Sequence, residues 1–267
     1  MKLKKYVSLT RAGIMESLQF RASLFVMVLG NLLYLIVVYF LWKAIYASSP
    51  SDTVNGMTFS DTLIYVVLAT ALFNFMEMYT VWQMGRAIQS GAIVLDLLKP
   101  MEPRSYLFWT YSGNFVVNFF STFLPTFIVV CIVTHGAVPL GINLVYFIIS
   151  VIMSIMINYS IDYFVGTICL YTESIWGINI MKQVIVLLLS GATIPIAFFP
   201  EPFKTIAMYL PFQSIYNAPL TLLLNGSPDI RDVAEILGTQ LLWCIVTYII
   251  SKLFWKVSLR QITVNGG

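Results

Sequence analysis

The sequence predicts an all-α integral membrane protein with six transmembrane helices. Of its 267 residues, 59% are hydrophobic and only 10% are charged, whereas soluble domains are on average about 25% charged. The mean hydropathy of the chain is +0.85. Apolar runs of about 20 residues, the length that a helix needs to cross a bilayer, recur along it. The remaining sequence is too short to hold a soluble catalytic domain.

Six apolar runs are candidates for membrane spans in this single transmembrane domain, residues 1–267. Five of them are continuous: Leu24–Tyr46, Thr62–Gln83, Leu107–Val133, Leu144–Leu170 and Glu235–Phe254. The fifth span in chain order, Ile178–Ile196, leads into a proline-rich stretch. Because proline breaks helix interiors, we expect this span to lose its helix at Pro195.

Residues 1–22 are expected to form an amphipathic helix on the membrane surface. Their basic start is followed by polar residues as far as Arg21 and not by the short apolar core of a signal peptide, so we expect the segment to be retained. On a helix, an apolar face would lie opposite a polar one. The apolar face has Leu3, Val7, Ile14 and Leu18, and the polar face has Lys4, Ser8 and Arg11. A plain basic tail is the alternative.

The basic residues predict the orientation. With six spans and the N-terminus in the cytoplasm, only three of the 15 basic residues fall outside, namely Lys43, Lys204 and Arg231. An excess of lysine and arginine marks cytoplasmic loops. We therefore expect both termini to be cytoplasmic.

The longest loop predicted on the cytoplasmic side is residues 84–106. A turn at Ser90–Gly91 leads into Ala92–Leu98, a run that can form a short helix and that Pro100 and Pro103 end. Its apolar side chains have no lipid to face if the loop leaves the membrane: Ile93, Val94, Leu95, Leu97 and Leu98. Such a helix suits a groove on a partner, and a helix lying flat against the headgroups is the alternative.

Two carboxylates lie inside predicted spans, Glu77 in the second and Asp162 in the fourth. Charged groups in a membrane are costly unless paired, protonated or hydrated, and are therefore candidates for function. They could line the substrate path or form an ion-coupled site, or they could make structural hydrogen bonds to Asn158, Lys182 or Gln183. Amides in spans seek partners across helices, and three of them are further pathway candidates: Asn74, Asn114 and Asn118.

The chain shows no motif for chemistry of its own. It contains no G-x-x-x-x-G-K-[ST] phosphate loop and so has no recognisable ATP site. His135 is the only histidine, which argues against a histidine-based metal site or triad. Cys131, Cys169 and Cys244 lie far apart in apolar stretches and are expected to be buried hydrophobes. We expect no catalytic residue, no metal and no cofactor bound by this chain.

The order of several motifs resembles a known family. A basic surface helix and a first span precede R-x-I-x-x-G-x-x-x-x-x-L-L-x-P, Arg86 to Pro100. Later come S-G-x-x-x-P-x-x-x-x-P, Ser190–Pro200, and L-P-F, Leu210–Phe212. Over nearly its whole length the chain is similar to the membrane subunit of an ATP-binding-cassette exporter of the type-2 permease family, among the drug and antibiotic-resistance exporters.

This resemblance implies a role for the loop at residues 84–106 and for two kinds of partner. It identifies Ala92–Leu98 as the coupling helix that docks into a separate ATPase subunit, which would bind ATP and Mg²⁺. The residues assigned to coupling are Arg86, Gly91, Ile93, Leu95, Leu98 and Pro100. It also implies a second permease chain, identical or paralogous, in a bacterial cell membrane, and no nucleic acid.

The resemblance further implies export of an amphipathic substrate such as a drug, a peptide antibiotic or a lipid. A self-sufficient secondary transporter that uses Glu77 and Asp162 is the alternative. A carrier built from inverted repeats should have broken helices at corresponding positions of its two halves. The sequence shows a strong break only after residue 190.

The proline-rich stretch is expected to form short re-entrant helices, residues 197–226, between the fifth and sixth spans. Glu201 and Lys204 would stay outside while apolar neighbours dip into the outer leaflet, where irregular backbone survives only when protein or water covers it. The resemblance implies that this segment caps the exit of the pathway. The residues assigned to the outer gate are Phe198, Phe199, Pro200, Pro211 and Phe212.

Overall fold

The computed structural model is almost entirely α-helical and describes residues 2–19, 21–134, 136, 138–172, 175–226 and 229–261. His135, and parts of the predicted segment 1–22, lie outside these ranges. The first elements are α1 (Lys2–Gln19) and α2 (Arg21–Ala47), followed by a two-stranded hairpin of β1 (Thr53–Val54) and β2 (Met57–Thr58). Asn55 and Gly56 at its turn both have positive φ, the geometry that an Asn-Gly hairpin turn requires.

The following helices are α3 (Phe59–Met76), α4 (Thr80–Gln89), α5 (Ile93–Leu97) and α6 (Pro103–Asn118). A π-helical turn, Phe119–Phe123, joins α6 to α7 (Leu124–Val133) without ending the helix. Then come α8 (Ile142–Ile168), α9 (Ile175–Leu189), α10 (Glu201–Tyr209), α11 (Gln213–Leu224) and α12 (Ile230–Ser258).

Within the described residues, five helical segments are long and apolar enough to cross a membrane. They are Phe25–Ala47, Phe59–Gln89, Pro103–Val133, Ile142–Ile168 and Ile230–Gln261. α9 is apolar but has only 15 residues, about 22 Å of helix against a hydrocarbon core of about 30 Å. The prediction of an all-α membrane protein is confirmed, and the sixth crossing stays a prediction.

Two predicted helices end where the sequence did not indicate. The second span was expected to be continuous over Thr62–Gln83, but α3 stops at Met76 and α4 starts at Thr80. We call residues Glu77–Tyr79 the α3–α4 break. The fifth span was expected to end at Pro195, but α9 stops at Leu189. The chain turns at Gly191, whose φ of +78° suits glycine, so the turn precedes the proline.

α8 lies at the centre of the bundle and packs along α11, α12 and α4. α3 is also largely enclosed, since 61% of its most apolar window is buried. α2 is the opposite case, with only 11% of the corresponding window buried. Because its exposed side chains are apolar, α2 presents a face that suits lipid or another chain.

α1 packs along α6, and small side chains permit the close approach. Gly13 and Gly113 meet at the crossing, where a Cβ on Gly113 would lie 2.4 Å from the backbone of α1. Thr10 and Ser112 share a hydrogen bond of 2.7 Å. Val7 and other apolar residues of α1 remain exposed, and the placement of this helix on the membrane surface stays a prediction.

Candidate functional site

The α3–α4 break interrupts a buried helix without proline or glycine. Tyr79 adopts a left-handed conformation with φ +54°, which is costly for a residue with a Cβ. Neighbouring helices satisfy the carbonyl groups freed at the end of α3. Asn158 on α8 donates to the Met76 carbonyl at 3.2 Å, and Asn118 on α6 donates to the Asn74 carbonyl at 3.0 Å. The break is therefore stabilised by amides from two other helices.

Charged side chains gather beside this break. Lys182 on α9 donates to Asp162 on α8 at 2.8 Å, and their side chains are only 14% and 3% exposed. Gln183, also on α9, donates to the Glu77 carboxylate at 3.3 Å. Two of the three structural partners that the sequence suggested, Lys182 and Gln183, thus bond to the carboxylates, whereas Asn158 donates to the Met76 carbonyl. The structure also brings Glu77 and Asp162, which are 85 positions apart in the numbering, to one cavity.

The cavity at the break has a volume of about 20 Å³, room for one or two water molecules. Glu77, Asp162, Lys182 and Thr80 are among its lining residues. Thr80 is fully buried, and its hydroxyl has no hydrogen-bond partner among the residues that the structure describes. A buried polar atom without a partner calls for an explanation such as a water or an ion.

A wider open groove lies next to this cavity. Its volume is about 730 Å³, and its walls include Arg86 on α4 and Trp176 on α9. Tyr79 and Trp82 line both the groove and the small cavity. These two rings therefore border both a small charged cavity and an open groove.

The three amides predicted to line a pathway are placed in different contacts. Asn118 caps α3, as described above, while Asn114 accepts a hydrogen bond from Ser17 of α1. Asn74 donates to Asn31 on α2 at 2.9 Å. Asn74 borders a cavity of about 320 Å³ between α2, α3 and the end of α9. Its remaining walls are mostly apolar and include Phe73, which also lines the cavity at the break.

The loop around α5 presents two leucines to its surroundings. Gly91 makes the turn between α4 and α5 with a φ of +74°. No other atom lies near the position that a Cβ would occupy, so glycine is required here by the backbone conformation and not by a lack of space. Leu95 and Leu98 are 64% and 76% exposed, whereas Ile93 is 3% exposed. Ile93 therefore packs α5 against the chain and is not offered to a partner. Arg86 and Pro100 are exposed.

Lys99 braces this loop against α6. Its ammonium group lies 2.6 Å from Asp96 of α5 and 3.7 Å from the ring centroid of Tyr106. Burial alone would lower the pKa of Lys99, but its hydrogen bonds to Asp96 and Tyr106 outweigh burial and raise that pKa. The contacts connect α5 to the first turns of α6.

α4 connects the α5 loop to the α3–α4 break and packs closely on two helices. A Cβ on Gly85 would lie 2.8 Å from the Ile175 side chain of α9. A Cβ on Gly166 of α8 would lie 2.8 Å from the sulfur of Met84. Such close contacts transmit displacements, because packed interiors have low compressibility.

The outer-gate candidates are divided between two places. Phe198 packs edge-on against Trp42 of α2, with ring centroids 4.8 Å apart, and Phe199 contacts Phe203 within the same segment. Pro200 is exposed. Pro211 and Phe212 instead border an apolar cavity of about 300 Å³ between α8, α9 and α12. The five residues thus do not form one cluster.

A buried glutamine that the sequence analysis did not identify fixes the start of α11, next to Pro211 and Phe212. Gln240 of α12 is fully buried and donates to the Ser214 carbonyl at 2.8 Å and to the Ser154 hydroxyl at 3.2 Å. Ser150 donates to the Gln240 side-chain oxygen at 2.7 Å. We call these four residues the Gln240 hub. The only signal of this hub in the sequence is Gln240 itself, a polar residue within the apolar run of α12.

Arg104 was also missed as a site residue. It is 8% exposed at the start of α6. Its guanidinium donates to Ser251 at 2.5 Å and to Ser160 at 2.7 Å. The ring of Tyr248 lies 4.4 Å from the guanidinium carbon. The residue ties α6 to α8 and α12 through hydrogen bonds and a cation–π contact.

A comparison with protein families gives one match. A family model described as "ABC-2 family transporter protein" matches residues 32–266, which is most of the chain. No curated protein matches the chain significantly.

Proposed function

The chain belongs to this ABC-2 transporter family and is thus a permease subunit of an ABC transporter, and we propose that it exports an amphipathic substrate. A separate ATPase subunit would bind ATP and Mg²⁺, and a second permease chain, identical or paralogous, would complete the pathway. In this proposal α9 makes the sixth crossing and both termini are cytoplasmic, in a bacterial plasma membrane. The substrate would be a drug, a peptide antibiotic or a lipid.

The α5 loop is the observation that carries the proposal. Leu95 and Leu98 are exposed beside each other on a helix of one to two turns, while Ile93 and the Lys99 brace hold that helix in place. An apolar helix face that is rigidly held outside the spans fits a groove on another protein. This arrangement supports the assignment of α5 as the coupling helix.

α4 would carry the movement of this helix into the membrane. ATP-driven closure of the ATPase would displace α5, and α4 would follow because only the turn at Gly91 separates them. Its contacts through Gly85 and Met84 would pass the displacement to α9 and α8. The α3–α4 break lets α4 move without carrying α3 as a rigid extension, since a hinge absorbs changes in backbone angles.

The substrate path is proposed along the cavity between α2, α3 and α9. Its mostly apolar wall with the Asn31–Asn74 pair suits an amphipathic molecule. α2 is scarcely covered by the rest of the chain, so the second permease is expected to pack on this side. Phe198 is then the gate candidate with a ring contact to α2, through Trp42.

A secondary transporter is the second candidate, and the α3–α4 break favours it. With α9 counted as a span, the second and the fifth spans are both interrupted, at corresponding positions of two three-span halves. The sequence showed only the later interruption. Membership of the ABC-2 family favours the hypothesis of ATP-driven transport.

The decisive experiment asks whether the α5 loop holds an ATPase. In the double variant Leu95→Asp/Leu98→Asp, docking of the ATPase would bury two carboxylates without partners, which is energetically costly. We therefore expect at least a tenfold loss of the co-purified ATPase subunit, measured as the ATP hydrolysis of the purified sample. The matched control is Ile206→Asp/Tyr209→Asp on α10, two residues that are also exposed. Unchanged association in the Leu95/Leu98 variant, with normal membrane insertion, would refute the assignment.

A further inference from the structure

We propose that the cavity at the α3–α4 break binds one small monovalent cation, an alkali metal ion or the ammonium group of an amine. The described residues that line this cavity include three charged side chains, Glu77, Asp162 and Lys182. Lys182 pairs with Asp162 at 2.8 Å, and within the described part of the chain Glu77 has only the neutral amide of Gln183 as its hydrogen-bond partner. With all three ionised, the cluster carries one uncompensated negative charge.

Thr80 supplies a second observation that is independent of the charges. Its hydroxyl is completely buried at the cavity and lacks a partner among the described residues. A hydroxyl oxygen is a hard ligand that can coordinate a small metal cation or accept a hydrogen bond from an ammonium group. A water molecule would also fill the space, but it would leave the charge of Glu77 uncompensated in a region where that is costly.

The dimensions limit the occupant. A volume of about 20 Å³ admits a species the size of a water molecule and excludes a whole drug or lipid. Asn158 and Asn179 also line the cavity and provide amide oxygens. Among the described residues, no group of three or more His, Cys, Asp or Glu residues gathers in one place. The donor set of few charges and several neutral oxygens therefore suits a monovalent cation better than a divalent metal.

The backbone geometry also fits an ion-binding site. The left-handed Tyr79 is held in a costly conformation at the edge of the cavity, and such residues cluster at binding sites. Tyr79 also borders the open groove, which offers an entrance for an ion. Tyr79 and Tyr216 are the phenols among the lining residues, and both place aromatic rings near the proposed cation.

The test uses the full chain alone in phosphatidylcholine nanodiscs. Its thermal unfolding midpoint is measured in NaCl, KCl and methylammonium chloride, against N-methyl-D-glucamine chloride at the same concentration. We expect a saturable rise of the midpoint with at least one of the small cations, since a ligand that binds only the folded state stabilises it. A rise with sodium or potassium identifies a free ion, and a rise with methylammonium alone identifies an amine headgroup.

The rise should disappear in Glu77→Gln and persist in Glu201→Gln, whose carboxylate is 81% exposed. Thr80→Val, which keeps the side-chain shape, should need at least a threefold higher cation concentration for the half-maximal rise. This variant also serves if Glu77→Gln does not insert. The proposal is overturned if all four salts give the same midpoint, or if the rise is unchanged in Glu77→Gln or in Thr80→Val. Since no ATPase is present, this result is independent of the permease proposal.

Discussion

The chain is interrupted twice at points where a span was expected to continue, and the two interruptions are built differently. At the α3–α4 break, no glycine or proline is present, and Tyr79 takes a left-handed conformation that costs energy. After α9, Gly191 takes a left-handed conformation that suits it, and Pro195 and Pro200 follow. The first interruption results from contacts with other helices, whereas the second is determined by the glycine and prolines of the local sequence.

The surroundings of the two interruptions also differ, because one is charged and the other is neutral. Beside the first, a buried ion pair and a carboxylate without a cationic partner of its own lie against the cavity. Beside the second, the neutral Gln240 hub ties the start of α11 to α8 and α12. We infer that the charged break is the place of movement and binding, and that the outer segment is held in place by its hub.

The largest effect should follow from breaking the ion pair at the first interruption. Lys182→Met leaves Asp162 buried and unpaired, so we expect a loss of about 3 kcal/mol in the free energy of unfolding. Unfolding in mixed micelles with dodecyl sulfate measures it. The double variant Lys182→Met/Asp162→Asn should recover most of this loss. A double variant no more stable than Lys182→Met would show that the pair itself is not the source.

A smaller effect is expected from removing the hub at the second interruption. Gln240→Leu removes the acceptor of the buried Ser150 hydroxyl and one of the two donors to the Ser214 carbonyl, which keeps only the Ser154 hydroxyl, at a cost of about 2 kcal/mol. Limited proteolysis should then cut within residues 198–212 faster than in the native chain. Thr239→Val on the neighbouring position of α12 is the control. Equal protection of this segment in Gln240→Leu would contradict the role of the hub.

The smallest effects compare the left-handed residue at each interruption. Gly191→Ala should destabilise the chain by about 1 kcal/mol, because alanine is strained at this φ and its Cβ would lie 2.8 Å from the Tyr65 hydroxyl. Tyr79→Gly should leave the free energy of unfolding within about 0.5 kcal/mol of the native value, because relief of strain offsets the added freedom of the unfolded chain. Tyr209→Gly, at an ordinary helical position, is the control. A large loss in Tyr79→Gly would mean that the tyrosine side chain, and not the backbone, holds the break.

The sequence predicted those features that local chemistry determines. Apolar length predicted the spans, and the turn at Ser90–Gly91 and Pro100 bracketed α5 within one residue at either end. Glu77 and Asp162 stood out because charges are rare in apolar runs. Their neighbourhood could be suggested but not established, since the pairing of Asp162 with Lys182 depends on how α8 and α9 pack.

The features that escaped prediction depend on distant contacts. Nothing in Met76–Thr80 signals a helix end. The end of α3 is stabilised by side chains from other helices, since Asn118 donates to the Asn74 carbonyl and Asn158 to the Met76 carbonyl. The outer-gate residues all lie within residues 198–212 but are separate in space, because the start of α11 is bound by Gln240. Such outcomes follow from tertiary hydrogen bonds, which no local pattern reports.

The central claim is that α4 transmits movement between the α5 loop and the charged break. The most direct test links α4 to α9 by a disulfide, with Gly85→Cys and Ile175→Cys in a chain whose three native cysteines are replaced by alanine. ATP hydrolysis by the purified complex with its ATPase is measured before and after reduction, with each single variant as a control. We predict at least a fivefold lower rate when the link is formed, recovery on reduction, and unchanged ATPase association. Equal rates in the fully linked and reduced complexes would contradict the account.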